Sequence, residues 1–324
     1  MRALFFDGEL KLVNDYPEPA QAAGESIVAV SLAGICGTDR EILRGYMGYR
    51  GVPGHEFAGR VTHSDDPSMI GARVVGEINA GCGDCDACRA QLQRHCRRRT
   101  VLGILGRDGA FAERLSLPDA NLHRLPDTVS DEAAVMVEPI AAAGEILDQV
   151  ELPTGGGVLI LGDGRLAAIV AMVLSGAGYA VAVAGRHREK LARIAALDRA
   201  HGRIVVYLDG ADERRTDRYR IVIDCTGNSA GFTRALELVE PRGTIVLKST
   251  AAAGAALNLA PVVINEITVV GSRCGRFAPA IEWLAAGRFD PRPLIDGVYP
   301  LDESRAAFAA AAESPKFKIL LRPA

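Results

Sequence analysis

The sequence lacks the features that mark several classes of protein. It has no apolar run of about 18 residues, which a membrane-spanning helix needs. Its first residues, MRALFFDGELKL, hold too short an apolar run, interrupted by Asp7 and Glu9, for a secretory signal peptide. Lys and Arg (37) nearly balance Asp and Glu (40), and the resulting net charge of −3 argues against nucleic-acid or acidic-membrane binding. We therefore expect a cytoplasmic protein with neither a membrane nor a nucleic acid as partner.

The composition is that of an ordinary globular protein with two domains. The chain has 324 residues, of which 48% are apolar and 24% charged, too many residues for one core and too apolar for disorder. Residues 1–125 carry short β-like runs between Gly, Pro and Asp turns. From about residue 130, strands and helices alternate, which predicts βαβ units and a parallel sheet with helices on both faces.

A glycine-rich loop in the second half predicts a dinucleotide site. The apolar strand VLIL runs into Gly162-x-Gly164-x-x-Ala167, and a helical pattern follows. Glycines in this context permit a tight turn and let backbone N–H groups approach a pyrophosphate. We expect this loop to bind NAD or NADP.

The end of the next strand favours NADP over NAD. NAD sites carry Asp or Glu there to hold the ribose hydroxyls, but this strand ends in Gly185, followed by Arg186, His187 and Arg188. A missing carboxylate beside cationic side chains suits a 2′-phosphate, because a guanidinium pairs with phosphate in a bidentate fork.

Four of the seven cysteines are concentrated in one short segment, at Cys82, Cys85, Cys88 and Cys96. The spacing C-x2-C-x2-C-x7-C matches a closed tetrahedral zinc site. An iron–sulfur cluster is a weaker alternative, because in ferredoxin-type runs the fourth cysteine follows after three residues and precedes Pro. Paired disulfides are the other alternative, disfavoured without an export signal.

A second set of possible metal ligands is scattered along the chain. Cys36 and His55 are each flanked by glycine, Glu56 is next to His55, and Glu138 precedes Pro139. Taken singly, each has an ordinary explanation, since buried cysteine and histidine are common in protein cores.

Together these features resemble a known family. CGTD (36–39), GHEFAG (54–59), the four-cysteine loop, the Glu138-Pro139 pair and the glycine fingerprint occur in this order. The pattern resembles the zinc-dependent alcohol dehydrogenases of the medium-chain dehydrogenase/reductase superfamily. It is most similar to their polyol, threonine and glucose dehydrogenase branches.

The resemblance implies an α/β fold with a discontinuous first domain. A GroES-like, β-rich catalytic domain would comprise residues 1–125 and 271–324, with a structural zinc lobe at 80–97. A Rossmann domain with a doubly wound parallel sheet would occupy 126–270. Relatives form homodimers or homotetramers, so we expect the same here.

The resemblance also implies the roles of individual residues. Cys36, His55 and Glu138 would ligate a catalytic zinc, the second zinc of the chain, and Glu56 would lie at or near the metal. Thr38 would hydrogen-bond the substrate oxygen and relay its proton. Further implied residues are Asp39, which would orient His55, Glu41, which replaces a histidine present in many relatives, and Thr226, which would line the cofactor cleft.

The implied activity is zinc-dependent transfer of a hydride between a small alcohol or carbonyl substrate and NADP or NAD. A secondary alcohol, polyol or sugar is the expected substrate class. Two alternatives remain open on the sequence. One is a zinc-independent quinone or enoyl reductase of the same superfamily, and the other is a zinc-ribbon protein that binds nucleic acid through the basic run Arg97–Arg99.

Overall fold

The computed structural model describes residues 1–209, 218–248 and 256–323. It divides into two compact units, Met1–Glu138 with Leu294–Ala324 and Pro139–Pro293. None of the helices among the described residues has the length and apolar composition needed to cross a lipid bilayer.

The first unit begins as a mainly β-structure with short helices. Its elements up to the division are β1 (Ala3–Phe6), β2 (Leu10–Val13), β3 (Glu25–Gly34), α1 (Gly37–Ile42), β4 (Glu56–His63), β5 (Arg73–Gly76), β6 (Asn79–Ala80), α2 (Asp86–Arg89), β7 (Thr100–Val101), β8 (Arg114–Pro118), β9 (Leu122–Arg124) and α3 (Asp131–Ala134).

Strands and helices alternate in the second unit, as the sequence predicts. The elements from here onward are α4 (Val137–Gln149), which starts at the division, β10 (Val158–Leu161), α5 (Arg165–Gly176), β11 (Val181–Gly185), α6 (Arg188–Ala195), β12 (Ile204–Leu208), β13 (Tyr219–Asp224), α7 (Ser229–Leu238), β14 (Val239–Leu247), α8 (Ala260–Ile264), β15 (Thr268–Gly271) and α9 (Phe277–Ala285). The chain then completes the first unit with β16 (Ile295–Pro300), α10 (Ser304–Ala312) and β17 (Lys318–Arg322).

The main sheet of the first unit joins its two chain segments. Its order is β16-β17-β3-β4-β5-β9, with β8 also paired to β3. The C-terminal strand β17 runs antiparallel to β3, with Leu320 opposite Gly34. On the other side of β3, Gly34 is opposite Glu56 of β4. This register brings β17 close to the segments that carry the predicted zinc ligands.

The sheet of the second unit is parallel, with the order β12-β11-β10-β13-β14-β15. Numbered within the unit, this is 3-2-1-4-5-6, the order of a Rossmann sheet. The central strand β10 reads VLIL and is buried throughout, as expected for a strand covered on both faces. The strand order reverses between β10 and β13, where such sheets bind their ligands.

The two compact units divide at 138/139 and 293/294, whereas the sequence predicts domain boundaries at 125/126 and 270/271. Helix α3 contacts β3 and β4, which extends the first unit to Glu138. Residues after 271 pack on α4 within the second unit: a Cβ on Gly275 would overlap the carbonyl of Ala141, and one on Gly144 would lie 2.8 Å from Trp283. These close backbone approaches explain why the second unit continues to Pro293.

Candidate active site and metal centres

Cys36 lies where β3 gives way to the first turn of α1. It is the residue before the helix, with an extended backbone at φ −101° and ψ 167°. Its N–H donates to Asp39 Oδ2 at 2.7 Å, which fixes the CGTD segment as a tight cap. Thr38 Oγ1 lies 4.0 Å from Cys36 Sγ. The predicted proton-relay residue is therefore beside the predicted zinc ligand.

The second oxygen of Asp39 faces His55. Asp39 Oδ1 lies 3.2 Å from His55 Nδ1, and both side chains are buried. The contact is short but poorly aligned, because neither atom has a well-formed hydrogen bond with any described residue. Burial lowers the pKa of His55, but the nearby charge of Asp39, together with the Cys36 thiol, raises it well above its ordinary value. With Nδ1 on Asp39, Nε2 is the nitrogen left to bind a metal.

Three side chains converge at this point. Cys36, His55 and Glu56 each offer a ligand atom, and these atoms lie within 4.8 Å of one another. Glu138, at the start of α4, is not a member of this group. One thiol, one imidazole and one carboxylate form a donor set that suits zinc. The residues present therefore fit a zinc ion.

A lysine that the sequence did not single out completes the surroundings of Glu56. Lys318 of β17 donates from Nζ to Glu56 Oε2, and both side chains are 1% exposed. A Cβ on Gly34 would lie 2.4 Å from the same oxygen, so the glycine makes room for this ion pair. The available signal was a lysine inside the apolar run FKILL, since a lysine is rarely buried without a partner.

The four-cysteine loop forms a lobe closed by the β6–β7 pair, in which Ala80 is opposite Thr100. The four Sγ atoms lie within 4.8 Å of one another. Gly81 permits the close approach, because a Cβ there would lie 2.8 Å from Cys88 Sγ. The segment 80–97 thus gathers its thiols on one small loop, where the sequence predicted a structural zinc lobe.

Sulfur–sulfur distances in the lobe match a tetrahedral metal site. Cys82 Sγ lies 3.9 Å from Cys88 Sγ and 3.5 Å from Cys96 Sγ. Thiolates about 2.3 Å from a tetrahedral zinc are about 3.8 Å apart, whereas a disulfide bond is about 2.05 Å long. Backbone N–H groups of Cys82 and Arg98, whose effect outweighs burial, lower the pKa of the Cys96 thiol to about 6. Cys96 is thus the more readily ionised thiol of the pair, because a hydrogen bond with Asp84 raises the pKa of the Cys82 thiol to about 12.

The glycine-rich loop of the second unit has the geometry of a phosphate cradle. Gly162 follows β10 with φ +114°, and a Cβ there would lie 2.9 Å from the carbonyl oxygen of Cys225. Gly164 precedes α5, and a Cβ there would contact nothing within 4 Å. Ala167 is fully buried. The loop thus leaves open space at Gly164, directly before the N-terminus of α5, and a helix N-terminus of this kind suits an anion.

The end of β11 holds a carboxylate that the sequence interpretation missed. Asp163, between the two loop glycines, accepts hydrogen bonds at Oδ2 from the N–H groups of Arg186 (2.6 Å) and His187 (2.7 Å). The ring Nδ1 of His187 lies 3.0 Å from the same oxygen. The side chains of Arg186 and His187 are exposed. The sequence offered one signal for this carboxylate. Asp163 lies within the fingerprint, and the strand end at Gly185 has no side chain to exclude it.

Thr226 lies at the same edge of the sheet as the glycine loop. Its N–H and hydroxyl donate to Asp224 Oδ1 at 2.9 and 2.7 Å. Asp224 ends β13 and is opposite Leu161 of β10. The predicted cofactor residues Gly162 and Thr226 thus flank the point where the strand order reverses.

Comparison with known proteins gives two family matches. The model of the alcohol dehydrogenase GroES-like domain matches residues 22–127, and that of the zinc-binding dehydrogenase matches residues 164–286. The first range contains Cys36, His55 and the four-cysteine lobe.

Individual relatives match nearly the whole chain. L-threonine 3-dehydrogenase of Streptomyces coelicolor is 32% identical over 327 residues, covering 95% of this chain and 94% of that protein. Sorbitol dehydrogenase of Halalkalibacterium halodurans is 27% identical over 330 residues, covering 96% and 95%. Among solved structures, the alcohol dehydrogenase RspB of E. coli CFT073, complexed with NADH, matches with a TM-score of 0.89 at 26% identity and covers 99% of each chain.

Proposed function

The chain belongs to the zinc-dependent alcohol dehydrogenases of the medium-chain dehydrogenase/reductase superfamily, and we propose from this membership how its residues divide the work. It is a dehydrogenase of the alcohol, polyol and sugar type that uses zinc and a nicotinamide cofactor. The predicted family, the GroES-like and Rossmann fold and the enzyme class are confirmed. Neither the zinc-independent reductase nor the zinc-ribbon alternative is supported.

The catalytic zinc is held by Cys36, His55 and Glu138 in this proposal. The convergence of the Cys36 and His55 ligand atoms within 4.8 Å supports the first two ligands, and Glu138 is assigned from its place in the Glu138-Pro139 motif that the family carries. Glu56 is the nearer carboxylate, but its Oε2 is engaged by Lys318. We therefore assign Glu138 as the residue that would complete the zinc ligands and Glu56 as a neighbouring carboxylate held by Lys318. Zinc would supply Lewis acidity at the substrate oxygen, and the nicotinamide would exchange the hydride.

Proton transfer falls to the residues of α1. The Thr38 hydroxyl, beside Cys36, accepts the proton of the substrate hydroxyl and passes it on. Asp39 faces Nδ1 of the His55 ring at 3.2 Å with one carboxylate oxygen and accepts a hydrogen bond from the Cys36 N–H with the other. Glu41 pairs with Arg44 at 2.6 Å on the exposed side, so we assign the onward step to water.

A second zinc is held by the four cysteines of the lobe. All four thiols are needed to complete a tetrahedral site, which leaves no position for substrate. Its role is structural, because it ties together a loop whose only regular elements are short, such as α2 and the β6–β7 pair. Each chain thus binds two zinc ions with different tasks.

Two features act in opposite directions on the choice between NADP and NAD. The exposed cationic side chains of Arg186 and Arg188 favour a 2′-phosphate, as the sequence predicts. The buried carboxylate of Asp163, bonded to the backbone at the same turn, opposes one.

The quaternary structure we propose is a homodimer, or a homotetramer built from such dimers. Strand β15 is an edge of the parallel sheet, and Val269 on it is 40% exposed. Val263 and Ile264 of the neighbouring helix α8 are 77% and 76% exposed. An apolar sheet edge of this kind is suited to pairing with a second copy.

We assign the protein to the cytoplasm from its cysteine usage. All seven cysteines are free thiols, and four of them lie at metal–ligand spacing. Such thiols are maintained in a reducing compartment.

The substrate class is a secondary alcohol, polyol or sugar, since the relatives include proteins named for L-threonine and sorbitol, which carry secondary hydroxyls. The test is a panel of these alcohols and their carbonyl partners, offered to the zinc-loaded protein with NAD and with NADP. Appearance or loss of the reduced-nicotinamide absorbance is the readout, with Cys36→Ser as control. Failure of every alcohol and carbonyl in the panel would overturn the proposal.

A further inference from the structure

The side chain of Asp163, in the glycine-rich loop, lies beside the end of β11, where the strand itself has no carboxylate. Gly185 ends β11, the position at which NAD-binding sheets carry Asp or Glu for the ribose hydroxyls. A Cβ on Gly185 would lie 2.5 Å from Asp163 Cβ and 2.6 Å from its Oδ2. Asp163 therefore occupies the space that a side chain at 185 would enter. It brings a carboxylate there from the turn after β10.

The carboxylate uses the donors that a 2′-phosphate would need. Its Oδ2 accepts the N–H groups of Arg186 and His187 at 2.6 and 2.7 Å, directly before α6. Backbone N–H groups at the start of a helix are favourable partners for a phosphate. Here they are already bonded to an anion, so a 2′-phosphate would meet like charge and lose these donors.

The same carboxylate is suited to bind hydroxyl groups. Its Oδ1 takes a hydrogen bond from the His187 ring Nδ1 at 3.1 Å, and a carboxylate oxygen can accept a second. Burial raises the pKa of Asp163, but hydrogen bonds from His187 and the N–H of Arg186 lower it below its ordinary value. Asp163 is therefore ionised at neutral pH. An ionised carboxylate is the group that accepts from ribose hydroxyls in NAD sites.

We propose that Asp163 binds the hydroxyls of the adenosine ribose and makes the protein select NAD(H) over NADP(H). This inference rests on the proposed function, in which the loop Gly162–Ala167 holds the dinucleotide. The NADP prediction depended on a missing carboxylate, and Asp163 supplies one. Arg186 and Arg188 are then solvated side chains at the rim of the site.

Binding, measured without a substrate, separates this inference from the activity. NADH and NADPH are titrated into the zinc-loaded protein, and each Kd is read from nucleotide fluorescence. We expect NADH to bind about tenfold or more tightly than NADPH, and Asp163→Asn to remove most of this preference by weakening NADH. The double variant Asp163→Gly/Gly185→Asp moves the carboxylate to the strand end and is expected to keep the preference for NADH.

Asp198 provides a matched control. It is also a buried aspartate of the second unit, 2.8 Å from a histidine ring at His201 and bonded to the N–H of Arg203. It lies after α6, at the opposite end of that helix from Asp163. Asp198→Asn should therefore leave the ratio of the two Kd values unchanged.

The outcomes separate the two proposals. Two results would overturn the role of Asp163. One is that the parent protein binds NADPH more tightly than NADH, and the other is that Asp163→Asn weakens the binding of NADH and NADPH equally. Binding of neither nucleotide by the folded, zinc-loaded protein would overturn the proposed function itself.

Discussion

Lys318 and Glu56 form a fully buried ion pair between residues 262 positions apart in the chain. The pair exists because β17 is antiparallel to β3 while β4 lies on the other side of β3. Glu56 is also one of the three side chains that converge with Cys36 and His55. The C-terminal strand thus supplies the cation that pairs with a carboxylate at the candidate zinc centre.

Replacing Lys318 by Met should be costly, because the charge of Glu56 would remain buried without its partner. Breaking a buried ion pair on one side costs about 3 to 5 kcal/mol of the free energy of unfolding. Urea denaturation should show this loss for Lys318→Met and recover much of it when Glu56→Gln is added. The control Lys318→Arg keeps the charge and should lose less. Equal stability of Lys318→Met and the parent would contradict the energetic importance of the pair.

The two proposed zinc sites should respond differently to removal of one thiol. Cys36→Ser should abolish dehydrogenase activity while the protein stays folded and retains the lobe zinc. Cys85→Ser should lower the thermal midpoint or the assembly state first, because the lobe loses its metal. Zinc per chain, circular dichroism and activity would be measured for both. An inactive but fully stable Cys85→Ser protein would reverse the proposed division of tasks.

Asp39→Asn tests whether the contact with His55 supports the catalytic metal. Partners of metal-bound imidazoles typically contribute about 10- to 100-fold in metal affinity or activity. Chelator competition should show weaker binding of one zinc only, with the lobe zinc unaffected. Asp66→Asn is the control, since Asp66 also caps a turn, at 2.9 Å from the Ser68 N–H, away from any proposed ligand. Unchanged zinc affinity in Asp39→Asn would show that His55 needs no such support.

Local patterns predicted the parts of the site whose residues are near one another in sequence. The four lobe cysteines and the Gly162–Ala167 loop have fixed spacings, so their chemistry follows from local geometry. Cys36 and His55 became convincing only as part of an ordered set of motifs. The structure then placed their side chains together.

The partners contributed by tertiary structure were not predicted. Lys318 reaches Glu56 only through the strand order of the first sheet, which one sequence does not specify. The sequence analysis took the strand end at Gly185 to lack a carboxylate, but the Asp163 side chain turns toward β11 and lies beside Gly185, and the direction of a side chain is not encoded in the spacing of a fingerprint. Glu138 lies outside the group around Cys36, and its role as a zinc ligand stays a prediction.

The proposed dimer predicts an asymmetry between the two edges of the parallel sheet. Val269 on β15 is 40% exposed, and Val205 on β12, at the opposite edge, is 59% exposed. Val269→Lys should shift the protein toward monomers in light scattering, because a buried lysine would disrupt pairing at that edge. Val205→Lys should leave the mass unchanged. Monomers from Val205→Lys, with no change in mass for Val269→Lys, would instead place the interface at β12.

The pH dependence of stability can be predicted at Glu25, which lies in the first unit away from the proposed zinc ligands. Its two oxygens accept from Arg107 at 2.7 and 3.0 Å, and Ser116 donates to one of them. The hydrogen bonds from Arg107, opposed by burial and aided by Ser116, lower the pKa of Glu25. The unfolded chain, with an ordinary glutamate pKa of about 4.3, then takes up the proton first as pH falls.

Stability from Glu25 should therefore be complete above that ordinary pKa and disappear as pH falls through the lower pKa of the folded state. At neutral pH, Glu25→Gln should lower the free energy of unfolding by about 1.5 to 3 kcal/mol, the range for hydrogen bonds to charged groups. Urea denaturation of both proteins at several pH values would show the difference shrinking below about pH 4. Glu9→Gln, at a carboxylate 69% exposed, is the control and should show little difference at any pH. A gap between the parent and Glu25→Gln that stays constant as pH falls would mean that the charge of Glu25 contributes nothing, and that only the shape of its side chain matters.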